Sequence, residues 1–268
     1  MQRRATRRSY LMCPPVHFAV TYAINPWMDP AVPVDRALAL AQWEELRATY
    51  VDLGHRVDLL EPLPGLPDMV YTANGATVVD GRVLGARFRH AERAAEAAAH
   101  LAWFRAAGLA TVEPRLVNEG EGDLLLVGDV LLAGTGFRTD PGAHAEAAAA
   151  LRRPVLPLEL VDPRYYHLDT ALAVLDATTI AWLPAAFTPA AQALLRERFP
   201  DAIEASPADA AALGLNAVSD GRNVVLPVGA VGLAAQLAER GFFPVPVDLS
   251  ELRKGGGGPK CCTLEVRP

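Results

Sequence analysis

The chain has 268 residues, and its 31 acidic residues outnumber its 25 lysines and arginines, which gives a formal net charge of −6. About half of the residues (51%) are apolar and 21% are charged, a balance typical of a globular protein. The acidic balance argues against a nucleic-acid partner, because nucleic-acid-binding proteins carry a basic face. No apolar run approaches the roughly 20 residues that span a bilayer, so we expect no membrane partner.

The cysteines indicate a reducing compartment. Cys13, Cys261 and Cys262 are odd in number and two of them are adjacent, which excludes a disulfide scaffold and favours free thiols. The arginines near the N-terminus are followed by too few apolar residues for a signal peptide. We therefore expect a cytoplasmic protein.

Taken in chain order, the predicted elements begin with a strand at 10–12 and a helix over 34–53. Apolar residues recur at helical spacing along that helix, and Gly54 ends it. Four β-hairpins follow, each marked by its turn, and they are predicted over 76–85, 124–132, 172–183 and 217–226. The turns begin at residues 80, 128, 176 and 220, so they are 48, 48 and 44 residues apart. This regularity indicates an internal repeat.

Each hairpin is followed by an alanine-rich helix and then by a short strand. The helices are predicted over 91–107, 141–152, 188–198 and 229–240, and the strands over 111–112, 155–160, 202–204 and 245–249. The helix over 34–53 has the same place in a fifth unit, whose hairpin comes from strands at 10–12 and 262–266. A closed ring of five ββαβ units buries the faces and edges that one unit would leave open. The sequence thus predicts a pseudo-five-fold α/β propeller, with one domain over residues 1–268.

Polar residues recur just before the inner strand of each unit. They are Asn74, then Glu119, Glu121 and Asp123, then His167 and Asp169, then Asn216, and finally Cys261. Asp169 follows His167 at strand spacing, so the two are expected on the same side of a strand. Residues in the same phase of a closed repeat meet near its axis, so a carboxylate, an imidazole and a thiol should converge at one end of the ring. A thiolate is a strong nucleophile, and a nearby imidazole can transfer protons.

The pair Cys261-Cys262 leaves two readings open. Both could be small buried strand residues, as free cysteines usually are, or one could be a nucleophile. Adjacent strand residues face opposite ways, so only one of them can point at the axis, and the phase does not say which. The glycines at 255–258 allow backbone to approach a ligand closely, and Lys254 and Lys260 could lower the pKa of the thiol.

Metal and nucleotide sites are not expected. The acidic run at 118–123 lacks the spacing of an EF-hand, and no zinc-binding pattern of cysteines or histidines occurs. The glycines at 255–258 lack the ending of a phosphate-binding loop. Arginines after successive hairpins, namely Arg87, Arg89 and Arg93 and then Arg138, could clamp a carboxylate, and Asp68 could bind an ammonium or guanidinium.

At these residues the chain resembles the guanidine-modifying (pentein) superfamily, especially bacterial dimethylarginine dimethylaminohydrolases and arginine dihydrolases. The resemblance covers about residues 10–266. The motifs that carry it lie at 12–15, 24–28, 67–68, 72–74, 119–123, 136–138, 166–170 and 260–261. The superfamily has an α/β propeller of five ββαβ units, in agreement with the repeat.

The resemblance implies roles for individual residues. Cys261 matches the nucleophile, which makes Cys262 a bystander, while His167 matches the general acid/base and Glu119 the acid that holds the guanidinium. The implied substrate-binding residues are Asp68, Asn74, Arg93, Arg138, Asp169, Asn25 and Ile24. The implied reaction proceeds without a cofactor, through a covalent thiouronium on the cysteine, and turns asymmetric dimethylarginine into citrulline and dimethylamine.

One departure leaves the substrate open. Asn74 stands where dimethylarginine hydrolases usually have an aspartate and where arginine dihydrolases have an asparagine. The alternatives are therefore an arginine dihydrolase, giving ornithine, ammonia and carbon dioxide, or an amidinotransferase. A catalytically silent propeller is disfavoured by the set of Cys261, His167 and Glu119. A redox or metal-binding protein that uses Cys261 and Cys262 is disfavoured because adjacent cysteines bind metal poorly without further ligands, and the chain offers no spaced partner. We also expect a small-molecule substrate. A homodimer is one option for the oligomeric state, and the segment at 14–30 is a candidate lid.

Overall fold

Five three-stranded sheets of the same construction make up the computed structural model, which describes residues 3–267. In each sheet the middle strand pairs antiparallel with an inner strand and parallel with an outer strand. The strands are β1 Ser9–Met12, β2 Arg56–Leu59, β3 Ala76–Val79, β4 Arg82–Gly85, β5 Ala110–Val112, β6 Leu124–Val127, β7 Val130–Thr135, β8 Val155–Glu159, β9 Leu172–Val174, β10 Ile180–Trp182, β11 Ile203–Glu204, β12 Val218–Ser219, β13 Asn223–Pro227, β14 Phe243–Val247 and β15 Leu264–Glu265. The strand orders in the five sheets are β15-β1-β2, β3-β4-β5, β6-β7-β8, β9-β10-β11 and β12-β13-β14.

A helix links the middle strand of each unit to its outer strand. The α-helices are α1 Arg36–Asp52, α2 Glu96–Ala106, α3 Ala143–Leu151, α4 Leu168–Ala171, α5 Pro189–Arg198, α6 Pro207–Ala211 and α7 Val231–Glu239. In α1 the Asp35 carboxylate caps the first turn by accepting from the Leu38 amide, and a stripe at helical spacing, from Ala39 to Tyr50, is buried. Among residues 3–267, no helix is both long and apolar enough to cross a membrane.

The predicted repeat is confirmed in all five units. The first hairpin has the predicted strands. Its turn residues Asp80 (φ 48°) and Gly81 (φ 70°) both adopt the left-handed conformation that suits a two-residue hairpin turn. The fifth hairpin joins the chain ends as predicted, with Tyr10 opposite Glu265 and Leu11 opposite Leu264. The units therefore form one closed α/β propeller.

Two local predictions were wrong. The last strand begins at Leu264 and not at residue 262, so Cys261 and Cys262 lie in the turn before it and strand alternation does not apply to them. His167 and Asp169 are not strand neighbours either, because His167 precedes the single helical turn α4 and Asp169 lies within it. In both places a tight turn directly before the inner strand carries the polar side chains.

The inner strands are buried, and the turns before them lie at one end of the propeller. β3 is buried at all four positions, and the short 3₁₀ turns Thr72–Gly75 and Gly120–Gly122 precede β3 and β6. Asn216 precedes β12, and the turn with Cys261 precedes β15. This end of the propeller therefore gathers the polar residues that the repeat predicted to meet.

Candidate active site

Cys261 lies against Asp169 and Asn216, which come from two other units of the propeller. Its Sγ is 3.4 Å from Asp169 Oδ2 and 3.1 Å from Asn216 Nδ2. Asn216 also fixes the cysteine backbone, because its Oδ1 accepts from the amides of Cys261 (3.0 Å) and Gly258 (2.9 Å). Cys261 as a whole residue is 2% exposed. One asparagine thus sets both the turn and the thiol position.

The glycine loop before Cys261 leaves no room for side chains. A Cβ on Gly257 would lie 2.4 Å from the Tyr71 ring and 2.9 Å from Cys261 Cβ. Gly256 has φ 91°, in the left-handed region that glycine adopts readily, and its carbonyl accepts from the Tyr166 hydroxyl at 3.0 Å. Packing against Tyr71 and Cys261 thus requires glycine here, while the approach of this backbone to a ligand stays a prediction.

Burial raises the pKa of the Cys261 thiol well above its ordinary value of 9.0, and the neighbouring Asp169 carboxylate raises it further. The expectation that lysines lower the thiol pKa was wrong. Lys260 is bound to Glu121 at 2.7 Å, and Lys254 is bound to Glu251 at 2.8 Å, so both cations serve other partners. The resting Cys261 side chain is consequently a neutral thiol that donates to Asp169.

His167 is bound to Glu119, with 2.7 Å between Nε2 and Oε2. Glu119 is ionised, because Arg138 and the hydrogen bond from His167 lower its pKa by more than burial raises it. A carboxylate only accepts hydrogen bonds, so Nε2 carries a proton that it donates to Glu119. Nδ1 is buried without a hydrogen-bond partner. Nδ1 is therefore the ring nitrogen left for contact with a bound molecule.

Glu119 is almost fully occupied by the protein itself. Its Oε2 also accepts from Arg138 Nη1 at 2.8 Å, and its Oε1 accepts from the Arg89 amide at 3.1 Å. The resemblance implied that Glu119 holds the guanidinium, but these contacts make it first of all the residue that orients His167. Arg138 also donates to the Ile24 carbonyl at 2.8 Å.

Two other carboxylates have an oxygen without any partner. Asp169 Oδ1 and Asp68 Oδ1 are both buried and unpaired, whereas their Oδ2 atoms bind Cys261 and the Tyr22 hydroxyl (2.9 Å), respectively. Burial raises the pKa of Asp169 to about 6, against the lowering effect of His167, and burial raises the pKa of Asp68 as well. Unpaired buried acceptors are costly, and a bound cation with N–H groups would satisfy them.

Arg93 and Asn74 are buried and in contact, with 2.7 Å between Arg93 Nη1 and Asn74 Oδ1. The Arg93 guanidinium also makes a two-bond pair with Glu96, at 3.0 and 2.8 Å. Sequence analysis did not single out Glu96, although it lies three residues after Arg93 at the start of α2. Asn74 Nδ2 has no partner.

The segment at 14–30 covers the site without forming a helix or strand. The Asn25 side chain donates through Nδ2 to the Gly255 carbonyl at 3.0 Å, and the Ile24 backbone carbonyl accepts from the Arg138 side chain. Both residues therefore contact the site. Tyr22 binds Asp68, and Phe18 stacks edge-on against Tyr71. This segment shields the site, and its movement as a lid stays a prediction.

Three sequence candidates lie outside this cluster. Glu121 binds Lys260, Arg267 and the Glu265 amide, and Cys262 is buried in the apolar core. The Arg87 side chain reaches the Arg115 carbonyl. Asn216, Tyr22 and Glu96 contribute without a predicted role. The repeat phase marks Asn216, whereas no periodicity marks Tyr22 or Glu96. Among residues 3–267, no cluster of three or more His, Cys, Asp or Glu side chains could hold a metal ion.

No family model matches the chain. It is 62% identical over 267 residues to the N(G),N(G)-dimethylarginine dimethylaminohydrolase of Mycobacterium tuberculosis, which covers 99% of this chain and 88% of that protein. It is 37% identical to the bifunctional arginine dihydrolase/ornithine cyclodeaminase ArgZ of Synechocystis, over 96% of this chain but 37% of that longer protein.

Solved structures agree with the propeller. The N-terminal domain of ArgZ, covalently bound to a reaction intermediate, has a TM-score of 0.94 and 36% identity over 97% of both chains. A dimethylarginine dimethylaminohydrolase carrying a pyridine adduct has a TM-score of 0.77 and 21% identity, over 97% of this chain and 100% of that one, which shows the shared fold. Given its 62% identity to the mycobacterial protein over nearly its whole length, the chain belongs to the dimethylarginine dimethylaminohydrolase family of guanidine-modifying enzymes.

Proposed function

We propose that the protein hydrolyses N-omega-methylated arginine at its guanidinium carbon, giving citrulline and methylamine or dimethylamine. The observation that carries this proposal is the pair of unpaired carboxylate oxygens, on Asp68 and Asp169, buried in the cluster that holds the thiol. A guanidinium is a planar cation with N–H groups in a fixed fork, and carboxylates are its natural acceptors. The mycobacterial relative carries the same activity in its name.

Asp169 Oδ1 is suited to hold the guanidinium over Cys261, because its other oxygen already contacts Sγ at 3.4 Å. Asp68 can accept a second N–H group of the substrate. Each terminal nitrogen of Arg138 makes one hydrogen bond and keeps a second N–H, so Arg138 is the better candidate for the substrate α-carboxylate. Arg93 is less suited, since Glu96 and Asn74 occupy most of its donors.

The chemistry begins with the proton of the thiol. A guanidinium bound beside Sγ adds positive charge to a site that has a net excess of carboxylates, and nearby opposite charge favours the thiolate. The Cys261 proton passes to His167 Nδ1, and the thiolate attacks the guanidinium carbon. His167 gives that proton to the leaving amine, which departs and leaves a thiouronium on Cys261. His167 then takes a proton from water, and the resulting hydroxide adds to the same carbon. The C–S bond breaks, which releases citrulline and the Cys261 thiolate, and a proton from His167 restores the thiol.

Product analysis tests the proposal directly. Purified enzyme is incubated separately with asymmetric dimethylarginine and with arginine, beside Cys261→Ser and the matched control Cys262→Ser. We expect citrulline and dimethylamine from wild type and from Cys262→Ser, and none from Cys261→Ser. No product from dimethylarginine with wild type would overturn the proposal.

A second candidate is an arginine dihydrolase, which Asn74 and the similarity to ArgZ favour. Ornithine and ammonia from arginine would identify this activity. An amidinotransferase is the weaker alternative and would transfer the amidino group to an added amine. Citrulline alone from arginine would contradict both alternatives.

We further propose a cytoplasmic location and a homodimer. The three cysteines are free and buried, as is usual where thiols stay reduced. Light scattering of the purified protein would test the homodimer, and a monomer mass would contradict it.

A further inference from the structure

Asn216 carries a buried amide that the mechanism above does not use. It lies just before β12 and is 0% exposed. Its Oδ1 accepts from the backbone amides of Gly258 and Cys261, both in the loop at 255–261, which we call the cysteine loop. Backbone amides only donate hydrogen bonds, so the side-chain atom that faces them must be the oxygen. The NH₂ group of Asn216 therefore points away from these two amides.

Both N–H groups of Asn216 face acceptors. Nδ2 lies 3.1 Å from the backbone carbonyl oxygen of Asp169 and 3.1 Å from Cys261 Sγ. Since an amide nitrogen has two N–H groups, one can bind the carbonyl and the other the sulfur. Turning the side chain would leave buried backbone groups without partners, which is costly. One N–H group is thus held at the sulfur.

The backbone that carries Asn216 is also held in place. The Asn216 amide donates to the Leu213 carbonyl at 2.9 Å, which closes a tight turn. Leu213 has φ 57°, in the left-handed region that residues other than glycine seldom adopt. Such a conformation persists where the surrounding structure enforces it. The donor at the sulfur is therefore built into the fold before any substrate binds.

The rest of the surroundings disfavours a negative sulfur. Burial raises the pKa of the Cys261 thiol well above 9.0, and Asp169 and Cys262 raise it further. The Gly258 amide acts in the opposite direction, but it already donates to Asn216 Oδ1 at 2.9 Å. A thiolate at this place consequently depends on the hydrogen bonds that it receives.

The hydroxyl groups that border the cysteine loop bind elsewhere. Tyr71 donates to the Leu252 carbonyl at 2.6 Å, and Tyr166 donates to the Gly256 carbonyl at 3.0 Å. Both phenols keep their protons, because burial raises their pKa well above 10.0. Asn216 is therefore better placed than either phenol to serve the sulfur.

We propose that Asn216 is a catalytic residue whose N–H group stabilises negative charge on the Cys261 sulfur, first when the thiol loses its proton and again when the C–S bond breaks. This inference rests on the proposed function, whose chemistry forms and releases a thiolate. A hydrogen bond to the charged form of a group favours that form, and a donor fixed in advance needs no reorganisation as the charge develops. Asn216 itself transfers no proton.

The test compares wild type with Asn216→Ala by the rate at which iodoacetamide alkylates Cys261 at pH 9, read by peptide tandem mass spectrometry without substrate. Cys261 is mostly protonated at this pH, so the rate follows the thiolate fraction. We expect alkylation to be about tenfold slower in Asn216→Ala, because loss of the donor raises the thiol pKa by about one unit. We expect kcat/KM for asymmetric dimethylarginine to fall about 100-fold. Unchanged or faster alkylation would overturn the inference.

Damage to the cysteine loop would move alkylation in the other direction. Burial is the largest cause of the raised pKa of Cys261, so a loop that opens to water lowers this pKa and speeds alkylation. A second variant, Asn216→Asp, keeps an oxygen for the two backbone amides but places a carboxylate oxygen beside the sulfur. We expect it to be alkylated at least as slowly as Asn216→Ala. If Asn216 only held the loop, Asn216→Asp would keep kcat/KM close to wild type, and that result would overturn the inference.

Asn223→Ala is the matched control. Asn223 lies in the same unit, and its Nδ2 donates to Asp220 Oδ2 at 2.7 Å, away from the cysteine loop. We expect wild-type alkylation and wild-type kinetics from this variant. An equal loss in Asn223→Ala would show that the effect does not come from the donor at the sulfur, and would overturn the inference.

The two readouts separate this inference from the proposed function. Slower alkylation in Asn216→Ala with an unchanged kcat/KM would overturn the catalytic role while the proposed function stands. A wild type without activity on dimethylarginine would overturn the proposed function. The alkylation rates would still decide whether Asn216 stabilises the thiolate, since they need no substrate.

Discussion

Two buried carboxylates, Glu119 beside His167 and Asp169 beside Cys261, have opposite electrostatic environments. Glu119 is paired with Arg138 and His167, which together lower its pKa despite burial. Asp169 has a thiol as its side-chain partner and keeps one oxygen unpaired, so burial raises its pKa to about 6. We call Glu119 with Arg138 and His167 the paired side, and Asp169 with Cys261 the open side. The paired side is complete without substrate, whereas the open side lacks a positive charge that the substrate supplies.

The largest expected effect comes from breaking the paired side with Glu119→Gln. The amide can turn its NH₂ group to His167 and reverse the tautomer, and Arg138 loses its carboxylate. We expect kcat to fall by about 10³- to 10⁴-fold, by analogy with loss of the carboxylate that orients a catalytic histidine. Steady-state kinetics check this, with Glu113→Gln, a change at an exposed acid, as the control. A loss below tenfold would show that His167 does not depend on Glu119.

On the open side, Asp169→Asn should lower turnover but raise the rate at which Cys261 is alkylated. Turnover is expected to fall about 10²-fold or more, because the acceptor for the guanidinium is lost. The pKa of Cys261 should fall at the same time, since Asp169 is one of the groups that raise it. Alkylation of Cys261 by iodoacetamide at pH 8 should therefore become faster. Slower alkylation would contradict the assigned contact.

The same carboxylate predicts a pH dependence. A substrate guanidinium needs Asp169 ionised, and the pKa of Asp169 is about 6 in the folded protein. We therefore expect the decline of kcat/KM for dimethylarginine to become steeper below pH 6, because protonation of Asp169 adds to the other ionisations of the free enzyme. This additional decline should be absent in Asp169→Asn. A profile that stays flat from pH 7 to pH 5 would contradict this assignment.

The smallest effect is expected for Tyr22→Phe, which removes the hydroxyl that donates to Asp68 Oδ2 at 2.9 Å. Asp68 remains in place, so we expect a rise in KM of about 3- to 10-fold with little change in kcat, the usual scale for one hydrogen bond. Kinetics with dimethylarginine test this split. An equal fall in kcat would mean that Tyr22 acts in the transition state.

The sequence predicted the propeller because local signals repeat along it. A turn such as Asp80-Gly81 fixes its own hairpin, and regular spacing extends that information to the closed ring. The sequence did not predict the start of the last strand, because the turn around Cys261 is held by Asn216 from another unit.

The site residues were predictable by type and phase, but their connections were not. Nothing local shows that Lys260 binds Glu121 instead of aiding the thiol, or that Glu96 binds Arg93, since these contacts depend on how buried charges pair after packing. Tyr22 lies in a segment without regular structure, so no periodicity marks its contact with Asp68.

The central claim is that the open side becomes complete only when the cationic substrate binds. The most direct measurement compares two pH titrations: the rate of Cys261 alkylation in free enzyme, read by peptide mass spectrometry, and kcat for asymmetric dimethylarginine. The account predicts that alkylation of Cys261 still rises above pH 9, while the pKa governing kcat lies at least one unit lower, because substrate charge stabilises the thiolate. A plateau of alkylation by pH 7, or the same pKa in both titrations, would contradict it.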